Sequence, residues 1–91
     1  MWTVKPGREE DFVAGWRELA EWAGTEFPTA GRPTLLRDTQ NSGRFVSFGA
    51  WQDLKQVEAF RQHPEFSRHV ARIEEALDDF SPMTYEAVIE P

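Results

Sequence analysis

Two histidines are the side chains of this sequence best suited to proton transfer near neutral pH, where imidazole gains and loses a proton. His69 stands three residues after Phe66 and four before Ile73, at the margin of an apolar stripe. There it could face a cavity as a proton acceptor, or serve as a half-buried structural histidine. His63 directly precedes Pro64, a position that favours the start of a helix over catalysis.

Aromatic side chains could line a binding site for a flat molecule. Trp51 stands where a strand turns into a helix and could form a wall on which a planar substrate stacks, with Phe48 and Phe60 completing an aromatic box. Tyr85 could donate its hydroxyl to a ligand from the apolar face of the last strand. Each also has a packing alternative, in which Trp51 fastens the strand to its helix and Tyr85 satisfies its hydroxyl within the protein or with water.

Arg37 is the candidate partner for an anion, because a guanidinium group can hold a phenolate or carboxylate. A solvated or interface charge is the alternative for an arginine on a strand. His69 and Arg37 are therefore the candidate catalytic residues. Trp51, Phe48, Phe60 and Tyr85 are the candidate substrate contacts.

Size, charge and composition narrow the class of protein. The 91 residues predict one small domain over 1–91, and the formal charge of -6 argues against nucleic acid and anionic lipid. The absence of cysteine excludes disulfides and thiol chemistry, and two separated histidines argue against a metal site. No apolar run approaches the roughly 20 residues of a membrane helix, and residues 1–5 lack signal-peptide features, so a cytoplasmic location is expected.

The first half of the chain predicts a strand, a helix and a strand. Residues 2–4 have strand character, and a turn at 5–7 ends them. Helical spacing of apolar residues follows over 8–23, with acidic residues in the first turn and Gly24 as the predicted stop. After a loop at 25–33, residues 34–39 predict the second strand, and the turn at 40–43, which contains Asn41, predicts a hairpin.

The central feature of the second half is a strand that runs into a helix. Residues 44–51 predict the strand, and Asp53, with Gln56 three residues on, predicts the cap of a helix ending near Gln62. Pro64 starts a further helix segment that Ser81 and Pro82 end. Its predicted buried stripe consists of Phe66, Val70, Ile73, Leu77 and Phe80. Residues 83–90 predict the last strand, with Met83, Tyr85, Ala87 and Ile89 on one face.

The resulting order, βαββαβ, predicts an α+β protein of ferredoxin-like arrangement with helices on one face of an antiparallel sheet. The uncovered face would then carry apolar residues of the central strand, either Phe45 and Trp51 or Val46 and Phe48. A second copy of the same sheet is the simplest cover, which predicts a homodimer through the open face.

Several stretches together resemble the antibiotic biosynthesis monooxygenase family. They are VKPGREEDF at 4–12, RFV at 44–46, Trp51 before a helix, and PEF at 64–66, and the likeness runs from about Trp2 to Ile89. The resemblance implies a dimeric α+β barrel and, in active members, oxygenation of aromatic polyketides without flavin or metal, or degradation of haem. Many active relatives carry two histidines at places that here hold Phe60 and Glu65, and His63 lies nearby but out of register.

Three functions follow from these observations. The first is a monooxygenase without a cofactor that oxidises a small aromatic or polyketide-like molecule. The second is a non-catalytic dimer that binds a small apolar molecule or has only a structural role. The third is a haem-binding or haem-degrading relative, in which a histidine would have to reach the iron.

Overall fold

Strands and helices alternate in the order that the sequence predicts. The computed structural model describes residues 1–28, 30–86 and 88–89. Thr29 of the predicted loop, Ala87 and Glu90 of the predicted last strand, and Pro91 lie outside the described residues. The elements are β1 (Trp2–Val4), α1 (Glu9–Glu26), β2 (Thr34–Arg37), β3 (Arg44–Phe48), α2 (Leu54–Gln62), α3 (Pro64–Glu74) and β4 (Leu77–Phe80).

The described strands form one antiparallel sheet in the order β2-β3-β1-β4. β1 lies in the middle, where Trp2 pairs with Phe45 of β3 on one side and with Phe80 of β4 on the other. β2 and β3 form the predicted hairpin, and Asn41 in its turn accepts a hydrogen bond from the Gly43 backbone N–H. The expected ferredoxin-like α+β arrangement is confirmed.

The helices cover one face of this sheet. Side chains alternate between the two faces of a strand, and Trp2, Val4 and Phe45 are buried on the helix side. Phe12 of α1 packs against both Trp2 and Phe45, with ring centroids 5.3 and 4.8 Å apart. Of the two pairs proposed for the uncovered face, Val46 and Phe48 are the ones exposed there, together with Leu36 of β2.

Helix α1 is longer than the sequence predicts. Gly24 does not end it, because the helix continues to Glu26 and the Phe27 backbone N–H donates to the Ala23 carbonyl at 2.8 Å. A glycine ends a helix by adopting a left-handed conformation, and within the described residues only Gly7 has a positive φ, of 82°.

The prediction that the last helix extends to Phe80 is wrong. Helix α3 ends at Glu74, and Leu77–Phe80 forms β4 against β1. The register shifts within this pairing, since Val4 faces Leu77 while the adjacent Thr3 faces Asp79, which leaves Asp78 as an extra residue. The extra residue allows both Leu77 and Phe80 to lie on the helix side despite their separation of three. A separation of three residues is also the spacing of side chains on one face of an α-helix.

The predicted strand at 83–90 is not present in the described part of the segment. Residues 83–86 and 88–89 belong to no strand, and their apolar side chains are strongly exposed. The last strand of the sheet is instead the stretch assigned from sequence to the end of a helix. None of the helices in the described ranges is long and apolar enough to cross a membrane.

Candidate functional site

Hydrogen bonds at the start of α2 hold the backbone that follows Trp51 in place. The Asp53 carboxylate accepts a hydrogen bond from the Gln56 backbone N–H at 2.9 Å, which confirms its predicted role as the cap. The Gln56 side chain accepts in return from the Gln52 backbone N–H at 2.8 Å. β3 ends at Phe48, so Trp51 lies in the short connection between β3 and this capped helix.

A group of aromatic side chains gathers where the end of α1 meets α2 and α3, and we call it the ring cluster. Phe60 of α2 lies at its centre, with ring centroids 4.7 Å from Trp51 and 4.6 Å from Phe66. The centroids of Trp22 and Phe27 lie 5.8 and 5.9 Å from that of Phe60. These separations are those of aromatic rings in direct contact. The members of the ring cluster are Trp22, Phe27, Trp51, Phe60 and Phe66.

Trp51 and Phe60, two of the predicted substrate contacts, therefore lie together. Trp51 also meets Phe27 at 5.8 Å in an edge-on arrangement, and its side chain is only half-buried. Part of the indole remains open to solvent, so the residue both packs the β3–α2 connection and presents an aromatic surface.

His63 lies beside the ring cluster with both of its nitrogens engaged. It precedes α3, and its Nδ1 accepts a hydrogen bond from the Glu65 backbone N–H at 3.1 Å. Its Nε2 lies 3.5 Å from a carboxylate oxygen of Glu26, and its ring meets the edge of Trp22 at 4.9 Å. The predicted role at the start of a helix is confirmed.

His69 lies against the same indole and has a different environment. Its ring centroid is 5.7 Å from that of Trp22, the two rings are inclined by 34°, and the side chain is half-buried. Among the described residues the imidazole of His69 has no hydrogen-bond partner. Of the two histidines, it is the one whose nitrogens can still bind or accept a proton from another molecule.

The other predicted site residues lie elsewhere. Phe48 is 60% exposed on the uncovered face of the sheet, so it is not part of the aromatic box predicted with Trp51 and Phe60. Tyr85 is 82% exposed and belongs to no strand, so the apolar strand face expected for it does not form. Arg37 lies on the helix side of edge strand β2, with its guanidinium carbon 5.1 Å from the centre of the Phe45 ring.

Two surface depressions lie away from the ring cluster. One, of about 320 Å³, is lined by Leu77 and Phe80 with acidic neighbours of β4 and α3. The other, of about 300 Å³, lies between α1 and α3, next to Gly15 and Ile73. In the described ranges no three acidic or histidine side chains converge in a way that could hold a metal ion.

Sequence reasoning missed three members of the ring cluster. Trp22 lies off the apolar stripe of α1, so the spacing of α1 predicts no neighbour for it. Phe27 falls in a predicted loop, and Phe66 falls in a stripe assigned to the core. The usable signal was the excess of aromatic residues at the ends of predicted helices.

The sequence of this chain matches the model of a known protein family. The model of the family described as "Antibiotic biosynthesis monooxygenase" matches residues 1–72. The chain belongs to the antibiotic biosynthesis monooxygenase family. No curated protein sequence matches it.

A solved structure of an antibiotic biosynthesis monooxygenase has the same fold as this family member. The two chains superpose with a TM-score of 0.82, and the match covers 97% of this chain and 93% of the other. The sequences are 24% identical, so this likeness is one of fold.

The two residues at which the resemblance implies histidines in active relatives, Phe60 and Glu65, have clear contacts of their own in this chain. Phe60 is the centre of the ring cluster, and the Glu65 carboxylate binds the Arg68 guanidinium at 2.6 Å.

Proposed function

We propose that this family member is a monooxygenase that needs no cofactor and oxidises a small, flat aromatic or polyketide-like molecule. The observation that carries the proposal is the position of His69, whose uncommitted imidazole lies against Trp22 at the edge of the ring cluster. Family membership and the half-exposed indole of Trp51 support it.

The chemistry requires a substrate that can itself reduce oxygen. His69 accepts a proton from a phenol or from an activated CH₂ group, and the resulting anion gives one electron to O₂. The substrate radical and superoxide combine into a C–O bond, and protonation gives a hydroperoxide. Loss of water then converts CH₂ into C=O, so one oxygen atom enters the product and the other leaves as water.

The ring cluster would supply the flat, apolar surface that this anion needs. Trp51 and Phe60 would stack on the substrate, and the apolar surroundings would exclude water from the radical pair. Arg37, which forms no ion pair within the described residues, remains the proposed anion partner. Because it lies over Phe45 and outside the ring cluster, the anionic end of the substrate would have to extend from the cluster toward β2. Because neighbouring rings touch one another, the substrate would bind on the open side of Trp51 or displace its ring.

The test is oxygen consumption with a panel of anthrone-like and quinol substrates. The wild type should consume one O₂ per carbonyl formed. His69→Ala should lower kcat by about 10²-fold or more, the range for loss of a general base, and Trp51→Phe should mainly raise KM. Leu54→Asp, an exposed change at the first residue of α2, is the control and should match the wild type. The proposal would be refuted if no member of the panel is turned over, or if both site variants have the kinetics of the wild type.

We further propose that two copies of this chain pair through the uncovered face of the sheet. Leu36, Val46 and Phe48 are 49%, 39% and 60% exposed there, and Leu36 lies directly across from Val46. Burying a few hundred Å² of such apolar surface would contribute on the order of 10 kcal/mol before the cost of association. The exposed apolar side chains of the segment after β4 offer a second contact for the same partner: Met83, Tyr85, Val88 and Ile89.

Light scattering during gel filtration tests the pairing. The wild type should have the mass of two chains at micromolar concentration, and Phe48→Asp should have the mass of one, because it places a charge in the interface. Leu54→Asp is a matched control, since Leu54 is 66% exposed but lies on α2 and not on the sheet. A wild-type mass of one chain would refute the pairing.

A non-catalytic dimer that binds a small apolar molecule is the second candidate. The direct contact between the rings favours it, because Phe60 already has Trp51 and Phe66 as neighbours within 4.7 Å. A ligand that raises the melting temperature, with the increase lost in Trp51→Ala and with no oxygen consumed, would support this candidate over the monooxygenase.

A further inference from the structure

We propose that protonation of His63 is a switch at the junction of α2 and α3, which releases the side-chain cap of α3 and changes the surroundings of Trp22 in the ring cluster. The proposal goes beyond the monooxygenase function and does not depend on it. It rests on the two contacts of a single imidazole.

His63 connects two helices with its backbone and one ring nitrogen. Its backbone N–H donates to the Phe60 carbonyl at 3.3 Å, at the end of α2, and its Nδ1 accepts from the Glu65 backbone N–H at 3.1 Å, at the start of α3. A ring nitrogen that accepts a hydrogen bond carries no proton. Neutral His63 must therefore carry its proton on Nε2, which lies 3.5 Å from the Glu26 carboxylate.

Protonation converts the cap contact from attraction to repulsion. The imidazolium has two N–H donors and no acceptor, so its Nδ1–H would meet the Glu65 backbone N–H. Its charge would also lie at the N-terminal end of α3, where the helix dipole disfavours a cation. The Glu26 carboxylate, at the end of α1, attracts the same cation. The charged ring is therefore drawn from α3 toward α1.

Two other charged side chains near this junction already have partners, so Glu26 is the group that can pair with a charged His63. On α3, the Glu65 carboxylate is bound by Arg68 at 2.6 Å. On α2, the Arg61 guanidinium donates to the Met83 carbonyl at 3.3 Å, in the segment after β4. His69, also on α3, contacts the same indole of Trp22 as His63 does.

Trp22 transmits the movement into the ring cluster. The His63 ring meets the indole edge at 4.9 Å, and the indole in turn lies 5.8 Å from Phe60. Trp22 lies one helical turn before Glu26 on α1, so a histidine that turns toward Glu26 changes its contact with the indole. The environment of the indole then changes in the same step as the loss of the cap.

Nuclear magnetic resonance tests the cap directly, between about pH 8 and about pH 5.5, where imidazoles titrate and ordinary carboxylates stay ionised. At high pH the ring of His63 should carry its proton on Nε2. As the pH falls, the Glu65 amide resonance should lose the shift of a hydrogen-bonded amide. His63→Asn caps a helix without titrating, so its Glu65 resonance should stay constant, while His69→Asn should behave as the wild type.

Fluorescence tests the second half of the proposal. The emission that is lost in Trp22→Phe should change over the same pH range in His69→Asn, and it should stay constant when His63→Asn is added to that variant, because no imidazole then contacts the indole. A proton on Nδ1 at high pH, a Glu65 resonance that does not move, or one that still moves in His63→Asn would overturn the switch. Trp22 emission that is constant with pH would overturn its link to the ring cluster.

Discussion

The indole N–H of Trp2 donates a 2.8 Å hydrogen bond to the hydroxyl of Ser47, which joins β1 to β3 on the helix side of the sheet. Trp2 itself is 4% exposed, and its ring stacks on Phe80 with centroids 4.0 Å apart. A polar atom in so apolar a position requires its partner. This bond orients the indole of Trp2. The indole in turn contacts Ser47 of β3 on one side of β1 and Phe80 of β4 on the other.

Ser47→Ala should therefore lower the free energy of unfolding by about 1–3 kcal/mol, because it leaves the indole N–H without an acceptor in a partly buried site. Urea denaturation measures the change. Ser67→Ala, in the exposed part of α3, should stay within about 0.5 kcal/mol of the wild type. Equal stability of the two variants would mean that water replaces the hydroxyl of Ser47.

The cap of α2 gives a second prediction. Asp53→Ala should cost about 1 kcal/mol, since the Gln56 backbone N–H loses its acceptor, whereas Asp53→Asn should cost much less because asparagine also caps helices. Thermal denaturation compares the three proteins. A loss in Asp53→Asn as large as that in Asp53→Ala would show that the negative charge matters more than the hydrogen bond.

Two glycines of α1 give opposite predictions when a side chain is added. A Cβ at Gly24 meets nothing within 4 Å, so Gly24→Ala should raise the free energy of unfolding by roughly 0.5–1 kcal/mol. A Cβ at Gly15 would lie 3.0 Å from Cγ1 of Ile73, at the contact of α1 with α3. Gly15→Val should therefore destabilise the protein by about 1–3 kcal/mol, as overpacking does.

Chemical denaturation of both glycine variants provides the comparison, and each serves as the control of the other. Stabilisation by Gly15→Val would mean that α1 and α3 can separate without loss. Destabilisation by Gly24→Ala would mean that α1 does not continue through this residue to Glu26.

The extra residue of β4 leads to a prediction about chain length. Without Asp78, Leu77 would still face Val4, Asp79 would face Thr3 and Phe80 would face Trp2, in regular alternation. Deletion of Asp78 should therefore keep the fold and cost no more than about 1 kcal/mol. Deletion of Thr3, in the regular part of β1, is the control and should unfold the protein, because it turns a buried side chain to the other face. Circular dichroism and melting temperature distinguish the outcomes.

The order of the elements follows from the sequence because each has a local signal. The cap at Asp53, the proline at 64 and the hairpin turn act over a few residues, and all three are confirmed. The β4 error has a physical cause, since the spacing of Leu77 and Phe80 suits a helix and also a strand with one extra residue. Only the neighbouring β1 decides between them.

The candidate site was predictable in part. Trp51 and Phe60 were expected to lie together, and they do, because the helix start between them sets their separation. Phe48 was misplaced because β3 ends with that residue and its side chain falls on the other face of the sheet. Trp22 was missed because its neighbours come from α2 and α3, which periodicity within α1 does not reveal.

Because β2 lies at an edge of the sheet, its backbone hydrogen bonds should open before those of the inner strands. β2 pairs with β3 alone, whereas β1 is hydrogen-bonded on both sides. The edge strands, β2 and β4, can thus fray while the inner strands stay intact, so their backbone amides should exchange with solvent deuterium before those of β1 and β3. Because Leu36 and Arg37 belong to β2, one margin of the open face lies on a strand that can separate from the sheet.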